Sequence, residues 1–440
     1  MKQNSTLIRG ITLFTLLFLL TSCENDSNNT NNFNNANNSI CSFKCTALPA
    51  PTRETTTVTA EDADSLRNII ENASSGTTIQ LEDGYYNLGG GDSSHRLIFA
   101  TPNLTLRSVS GNPENVILDG NYVTGELISI QASDVTIADI TLQKAYYHPV
   151  HISGTENNPI ENILLHNLRI IDPGEQAIKI NPIVNGYTDY GIIQCSHLEL
   201  TDEGRPHIRN NCYTGGIDAH KSQGWIIRNN FIKGFWCENG LAEHGIHMWQ
   251  SCRDTLVENN IILDCARGIG LGMGESGDGR EYEDNPYPEQ GYLGHIDGLI
   301  RNNFIAASSE NLFNSATSFD AGITLEQAHG AIVVHNTVAS SEAPFSSIEW
   351  RWDNTSITLK NNLVSHNLRD RGGFAELGGN IENAALTLFM DLPSGNLHLT
   401  VPNQNITRGE ILQADICPCD IDQDLRPVAP QQPLQGADEP

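Results

Sequence analysis

Lys179, Asp218, His220, His247 and Trp249 are the side chains whose types and spacing could together do chemistry. Imidazole titrates closest to neutral pH, which makes His220 and His247 candidates for general acid and base. The Lys179 ammonium can neutralise negative charge developing on a substrate. The Trp249 indole offers a flat apolar face on which a sugar ring can stack. Asp218 can orient a histidine or lend an oxygen to a Ca2+ site, since calcium takes several oxygen ligands. Bases, a cation and an aromatic platform without an activated nucleophile suit proton transfer on a sugar ring.

The elements that must hold these groups are seven short segments sharing one alternation: Val150-His151-Ile152-Ser153, Ile178-Lys179-Ile180-Asn181, Ile217-Asp218-Ala219-His220, Ile246-His247-Met248-Trp249, Ile269-Gly270-Leu271-Gly272, Ile323-Thr324-Leu325-Glu326 and Ile348-Glu349-Trp350-Arg351. Apolar residues fall on one face and a mixed set on the other, which is the period of a strand. The segments recur at intervals of about one solenoid coil, so they read as stacked rungs. Two outward columns follow: Ser129, His151, Lys179, Asp218, His247, Gly270, Thr324, Glu349, and Gln131, Ser153, Asn181, His220, Trp249, Gly272, Glu326, Arg351. Parallel strands lie about 4.8 Å apart, so the five chemical groups share a patch two strand spacings tall.

Gly270 and Gly272 remove both columns' side chains on one rung, which predicts a bare floor where a ligand approaches backbone. Asn181, Glu326 and Arg351 extend the surface as candidate sugar-binding groups. Arg351, flanked by Trp350 and Trp352, can recognise a carboxylate or form a surface pair with Glu349. Insertions at 182–215, 233–244 and 273–294 are long enough to wall a cleft around the patch.

A second register runs between the rungs, with asparagine at one recurring turn: Asn167, Asn229-Asn230, Asn259-Asn260, Asn302-Asn303, Asn336 and Asn361-Asn362. Asparagine tolerates the left-handed conformation, and stacked amides can bond along the solenoid axis, so these residues are structural. Ile192 to Leu200 enters the same slot with His197 in place of asparagine.

This turn ladder, the gapped coils and the terminal Asp420-Ile421-Asp422-Gln423-Asp424-Leu425-Arg426-Pro427 ending in Gly436-Ala437-Asp438-Glu439 resemble exported bacterial proteins of the pectate-lyase-like superfamily. The resemblance covers most of residues 55–440 and implies an all-β chain, a right-handed parallel β-helix. A short amphipathic helix around Ala60 to Ala73 would cap its first open edge. That superfamily holds lyases, hydrolases, epimerases and adhesins, so it implies fold before activity. Lys221-Ser222 followed by an Arg-Asn-Asn turn is similar to the alginate and chondroitin lyase branch. There the lysine of a Lys-Ser pair abstracts the proton, and the arginine of an Arg-His-Gly on the next coil stands near the leaving group. The lysine carries over to Lys221, whereas Gln250-Ser251-Cys252 falls where Arg-His-Gly would.

The chain opens with Lys2 and Arg9 around an apolar run, Ile11 to Leu20, too short to span a membrane as a mature helix. Leu20-Thr21-Ser22-Cys23 resembles a lipobox, which implies a lipoprotein signal peptide over 1–22, lipidation of Cys23 and, with Glu24 following, the outer membrane. An asparagine-rich tether then spans 23–54, the β-helix 55–380, and C-terminal strands with a capping tail 381–440. With Cys23 set aside from the ten cysteines the remainder is odd, so at least one thiol stays unpaired beside any disulfides. A net charge of −28, spread along the chain, argues against nucleic acid and against docking on anionic headgroups. Membrane contact is therefore expected through the lipid alone.

The sequence thus points to a monomeric, surface-anchored carbohydrate-active protein of the cell envelope. The leading expectation is a lyase cleaving an acidic, uronic-acid-containing polysaccharide by β-elimination. His220 or Lys221 is cast as base, Lys179 as charge neutraliser, His247 as acid and Trp249 as platform. Ca2+ is carried as a candidate cofactor through Asp218. The alternatives are a glycoside hydrolase, for which Asp218 lacks a partner acid on a neighbouring rung, and a non-catalytic glycan-binding or structural lipoprotein.

Overall fold

Alternating isoleucine, valine and leucine is stiff at χ1 and packs well on a pleated surface, and here it builds a coil with three parallel sheets. The computed structural model describes residues 41, 43–52, 54–59, 63–400 and 408–439. The apolar run, Cys23 and the asparagine-rich stretch lie outside the described residues.

Ten strands form the sheet that carries the outward columns: β1 (Leu97–Phe99), β2 (Glu126–Ile130), β3 (His148–Ile152), β4 (Gln176–Ile180), β5 (Gly215–His220), β6 (His244–Trp249), β7 (Arg267–Leu271), β8 (Ala321–Glu326), β9 (Ser346–Arg351) and β10 (Leu368–Arg371). All seven rungs pair in the register read from the sequence: Val150 with Ile178, Ile178 with Ile217, Ile217 with Ile246, Ile246 with Ile269, Ile269 with Ile323 and Ile323 with Ile348. These apolar residues are fully buried, and a slip of one residue would turn each of them to the outward face.

The strands carry a feature that strict alternation does not contain. Cβ atoms on Gly216, Gly245, Gly268 and Gly322 would each strike an inward apolar side chain, Ile232, Ile262, Ile305 and Val338 respectively. The next residue in each case, Ile217, Ile246, Ile269 or Ile323, is also buried. Two successive inward residues form a bulge-like step, and the small one comes first. The residue before the step returns to the outward face and makes a third column, in which Glu126 pairs with His148, Gln176 with Gly215, and His244 with Arg267.

The other two sheets close each coil, one holding Ile226–Arg228, Leu256–Glu258 and Leu299–Arg301, the other Phe231–Lys233, Ile261–Leu263 and Phe304–Ala307. The Asn-Asn pairs join them and divide the work. The first asparagine takes the left-handed conformation, with φ of 53° at Asn229, 55° at Asn259 and 53° at Asn302. The second points inward and donates its amide along the axis, from Asn230 to Asn260 to Asn303 to Asn336 to Asn362 to Asn380, each link 2.9–3.0 Å. Upstream, Cys195 (φ 58°) and Ser196 occupy this slot, not His197, which pairs with Phe231 in the next sheet.

A helix, α1 (Ala63–Glu71), buries Leu66 and Ile70 against the first coils. Within the 23–54 segment the chain is bound from Cys41 onward. Cys41 is bridged to Cys419 and Cys45 to Cys195, Pro49 and Thr46 carbonyls accept from Arg107 and His166, and Phe43 lies under Arg228. At the far end an antiparallel pair, Phe389–Asp391 with Asn396–Leu399, packs Leu388, Phe389 and Leu397 on Phe304.

Candidate functional site

Strands β4, β5 and β6 set Lys179, Asp218 and His247 side by side, with His220 next to Trp249. Lys179 Nζ donates to Asp218 Oδ2, to Tyr213 Oη at 2.8 Å and to His220 Nε2 at 2.9 Å. Those three bonds use all three ammonium hydrogens. An ammonium has no lone pair, so His220 Nε2 is assigned as the acceptor and the imidazole proton as sitting on Nδ1. The second Asp218 oxygen accepts from Trp249 Nε1 at 2.7 Å.

Lys179 and Asp218 are buried, at 7% and 1% exposure. Burial by itself would raise the Asp218 carboxyl, but the Lys179 ammonium, with His220 and His247 behind it, holds it well below the usual carboxylate range. Burial works against charge on Lys179 too, and Asp218 and Tyr213 outweigh it, so the ammonium is held above its ordinary value. His220 is pushed below the usual imidazole value by burial, against the pull of Asp218, and is neutral at neutral pH. Burial also raises the Tyr213 phenol.

His247, expected as an acid reaching the substrate, is fully buried. Its Nε2 donates to the Gly272 carbonyl at 3.2 Å, and its Nδ1 faces Glu243 Oε2 at 3.2 Å and Asp218 Oδ1 at 3.9 Å. Trp249 lies over it, ring centroids 5.4 Å apart and planes within 4°. His247 is thus the support beneath Trp249. One face of the indole is spent on that stack, and a ligand can use only what remains. Burial would raise the Glu243 carboxyl, but His247 and Arg267 lower it.

The bare glycine floor is not bare. A Cβ on Gly270 would lie 2.7 Å from His244 Nε2, so the glycine makes room for that imidazole, which crosses it to reach Thr324 Oγ1 at 2.8 Å. Gly272 (φ +76°) packs on the Glu326 carbonyl, which a Cβ there would meet at 1.9 Å, so the glycine serves close backbone packing.

Lys221 follows β5 in a left-handed turn and pairs with Asp278 at 3.0 Å. The loop 273–294 brings Asp278 there, together with Arg280, which donates to the Lys221 carbonyl at 3.2 Å and to both oxygens of Asp189 at 2.7 and 2.9 Å. An arginine therefore stands beside Lys221 after all, supplied by a loop and not by the next coil. Asn181 meets His151 Nε2 at 2.7 Å, whose Nδ1 meets Glu126 at 2.7 Å. Further along the sheet Arg351 pairs with Glu326 at 2.9 Å and Glu349 with Arg371 at 2.6 Å, so the Glu349–Arg351 pair does not form. The donors around Asp218 are all nitrogen, which does not fit the oxygen cage calcium requires.

Five participants escaped sequence reasoning, one of them Glu243, which lies at the end of the insertion leading into β6. Tyr213 and Arg280 come from insertions whose folding no periodicity describes. His244 and Arg267 stand in the third column, for which the recurrent Gly-Ile step of β5 to β8 was the available signal.

No protein-family model matches the sequence, and no curated protein matches it. Among solved structures the chain is similar to an alginate lyase from Paenibacillus sp. str. FPU-7, at 15% identity and TM-score 0.51 over 73% of this chain and 98% of that one. It is also similar to pectate lyase Pel9A, at 12% identity and TM-score 0.51 over 88% and 96%. At such identities the likeness is one of fold: a right-handed, pectate-lyase-like parallel β-helix.

Proposed function

We propose that this β-helix is a polysaccharide lyase cleaving a uronic-acid-containing chain by β-elimination. One observation carries the reading. A single ammonium, Lys179, holds an imidazole and a phenol at 2.9 and 2.8 Å beside a half-buried indole. Of the carboxyls around it, Asp218 and Glu243 are meanwhile kept ionised, and Glu175, raised by burial, is committed to His148 and Asn210. A hydrolase needs a protonated carboxylic acid at the scissile oxygen, which Asp218 and Glu243 do not supply and Glu175 is not turned to supply. β-Elimination needs a base, a proton donor and a cation for the carboxylate, and no nucleophile.

In this reading the uronate carboxylate takes the Lys179 hydrogen now given to His220, and Asp218 and Tyr213 keep the ammonium in place. His220 Nε2, neutral and released, accepts the proton next to the carboxylate. Tyr213 gives its phenolic proton to the leaving oxygen, and the adjacent ammonium stabilises the phenolate. Trp249 flanks the ring. Lys221, paired with Asp278 at the rim, is not the base in this reading.

The proposal includes export and anchoring through a lipidated Cys23 at the outer membrane, an acidic polysaccharide as partner and a monomeric chain. Three disulfides fit an oxidising compartment.

The test is incubation with a panel of acidic polysaccharides, following ultraviolet absorbance of new unsaturated ends. Y213F and H220Q should each lower kcat by at least about 100-fold. New reducing ends without that absorbance would convict the reading in favour of hydrolysis. Binding with neither signal would make the protein a glycan-binding module.

A further inference from the structure

Glu243, His244 and His247 bring a carboxylate oxygen and two imidazole nitrogens within 4.8 Å of one another at the start of β6. His247 is hydrogen-bonded through Nε2 to the Gly272 carbonyl and through Nδ1 to Glu243 Oε2, each at 3.2 Å, so a metal at Nδ1 would take the place of the Nδ1 hydrogen. His244 is buried, at 2% exposure. Its Nε2 is spent on Thr324 Oγ1, while its Nδ1 has no hydrogen-bond partner and lies 4.0 Å from the same Glu243 oxygen. A buried ring nitrogen without a partner is costly unless something occupies its lone pair. Arg267 stands 3.6 Å from Glu243 Oε2 as an ion pair while donating to the Ala242 carbonyl at 3.1 and 2.8 Å.

We propose that Glu243 Oε2, His244 Nδ1 and His247 Nδ1 form a site for one divalent transition metal of the Zn2+ class, with a fourth position for water. Zinc binds imidazole and carboxylate at about 2.0–2.2 Å in tetrahedral array, which places ligand atoms about 3.3 Å apart. The two imidazole nitrogens stand 3.2 and 4.0 Å from Glu243 Oε2, within 1 Å of that spacing, and all three ligand atoms lie within 4.8 Å of one another. Two imidazoles and one carboxylate suit Zn2+ and its first-row neighbours and do not suit Ca2+ or Mg2+, which prefer oxygen. Each imidazole is oriented through its other nitrogen, His247 by a carbonyl and His244 by a hydroxyl, as metal-bound histidines commonly are. Gly270 then has a purpose: only a residue without Cβ leaves room for the His244 ring. The site stands directly beneath Trp249 and does not depend on the lyase reading.

The experiment uses the full chain, stripped with chelator and titrated calorimetrically with Zn2+ and spectroscopically with Co2+. One equivalent should bind, with the intense visible absorption of tetrahedral Co2+, and millimolar Ca2+ should not displace it. Glu243 is at the rim, so E243Q should keep the fold by circular dichroism and lose more than about 100-fold in affinity, beyond the cost of an outer partner. G270A should also weaken binding by displacing His244. H398A, which disrupts a separate cluster of His398, Asp422 and Asp438, should bind as the natural chain does. Absence of saturable binding by the natural chain overturns the proposal. So does a Co2+ spectrum that survives E243Q or vanishes in H398A.

Discussion

Replacing Lys179 with methionine isolates the electrostatic centre of the patch, because methionine keeps the volume and removes the charge. The Lys179 and Asp218 side chains are 8% and 2% exposed, so solvent screens the pair little. Breaking a buried pair from one side typically costs about 3–5 kcal/mol, against less than about 1 for an exposed pair. The pH dependence is the sharper signature. In the natural chain the Asp218 carboxyl is lowered, so its stabilisation is present above the unfolded value of about 3.9 and is lost as pH falls through its folded value. Lys179 is raised, so its share is present below about 10.4 and is lost as pH rises through its folded value. Between those limits the pair contributes in full. In K179M burial, already the largest single influence on Asp218, is no longer offset by the ammonium and should raise the carboxyl, so that protonation then favours the folded state. The deficit of the variant should therefore shrink between pH 7 and pH 5, and D218N added to K179M should recover part of it. Urea denaturation at both pH values, compared at a common m-value, reads both effects. A deficit under about 1 kcal/mol, or one that grows on acidification, refutes the reasoning.

The proposed elimination requires a neutral His220, whose pKa is lowered, so the acid limb of kcat/KM should lie below the ordinary imidazole value of about 6.5; a pH–rate profile checks this. Asn303 accepts from Asn260 and donates to Val257, Arg301 and Asn336, so N303L should cost about 3 kcal/mol or more by leaving several buried groups unmatched. N259G, at a left-handed position, should stay within about 1 kcal/mol of the natural chain in the same urea assay. G272A would press a Cβ to 1.9 Å from the Glu326 carbonyl and should cost about 3 kcal/mol or more. G91A, where φ is +86° and nothing lies within 4 Å, should show backbone strain alone, seen as a much smaller fall in thermal midpoint.

The coil and its register were legible because they depend on a property carried by each short segment. Alternation of residues such as Ile178, Ile217 and Ile246 selects one face for burial, and full burial admits one register. The Asn-Asn turns were legible as structure for the same local reason. Their division into a left-handed first residue and an axial second one appears only when neighbouring coils are stacked. The outward columns named Lys179, Asp218, His220 and Trp249 correctly as neighbours. They could not say that Lys179 and Asp218 neutralise each other, since partnership depends on which hydrogens remain after all neighbours are placed. Alternation also assigned His247 to the surface, but outward on a strand is not exposed once Trp249 lies above it. His244 was invisible because a two-residue inward step at Gly245-Ile246 breaks the period that sequence reading relies on. Tyr213 reaches Lys179 from an insertion pinned by the Cys212–Cys237 bridge, and Arg280 reaches Lys221 from another. Local periodicity therefore determined the scaffold and the face that carries the candidate site. Tertiary structure decided which groups on that face are free to act, because burial, pairing and loop closure are set by residues distant in the chain.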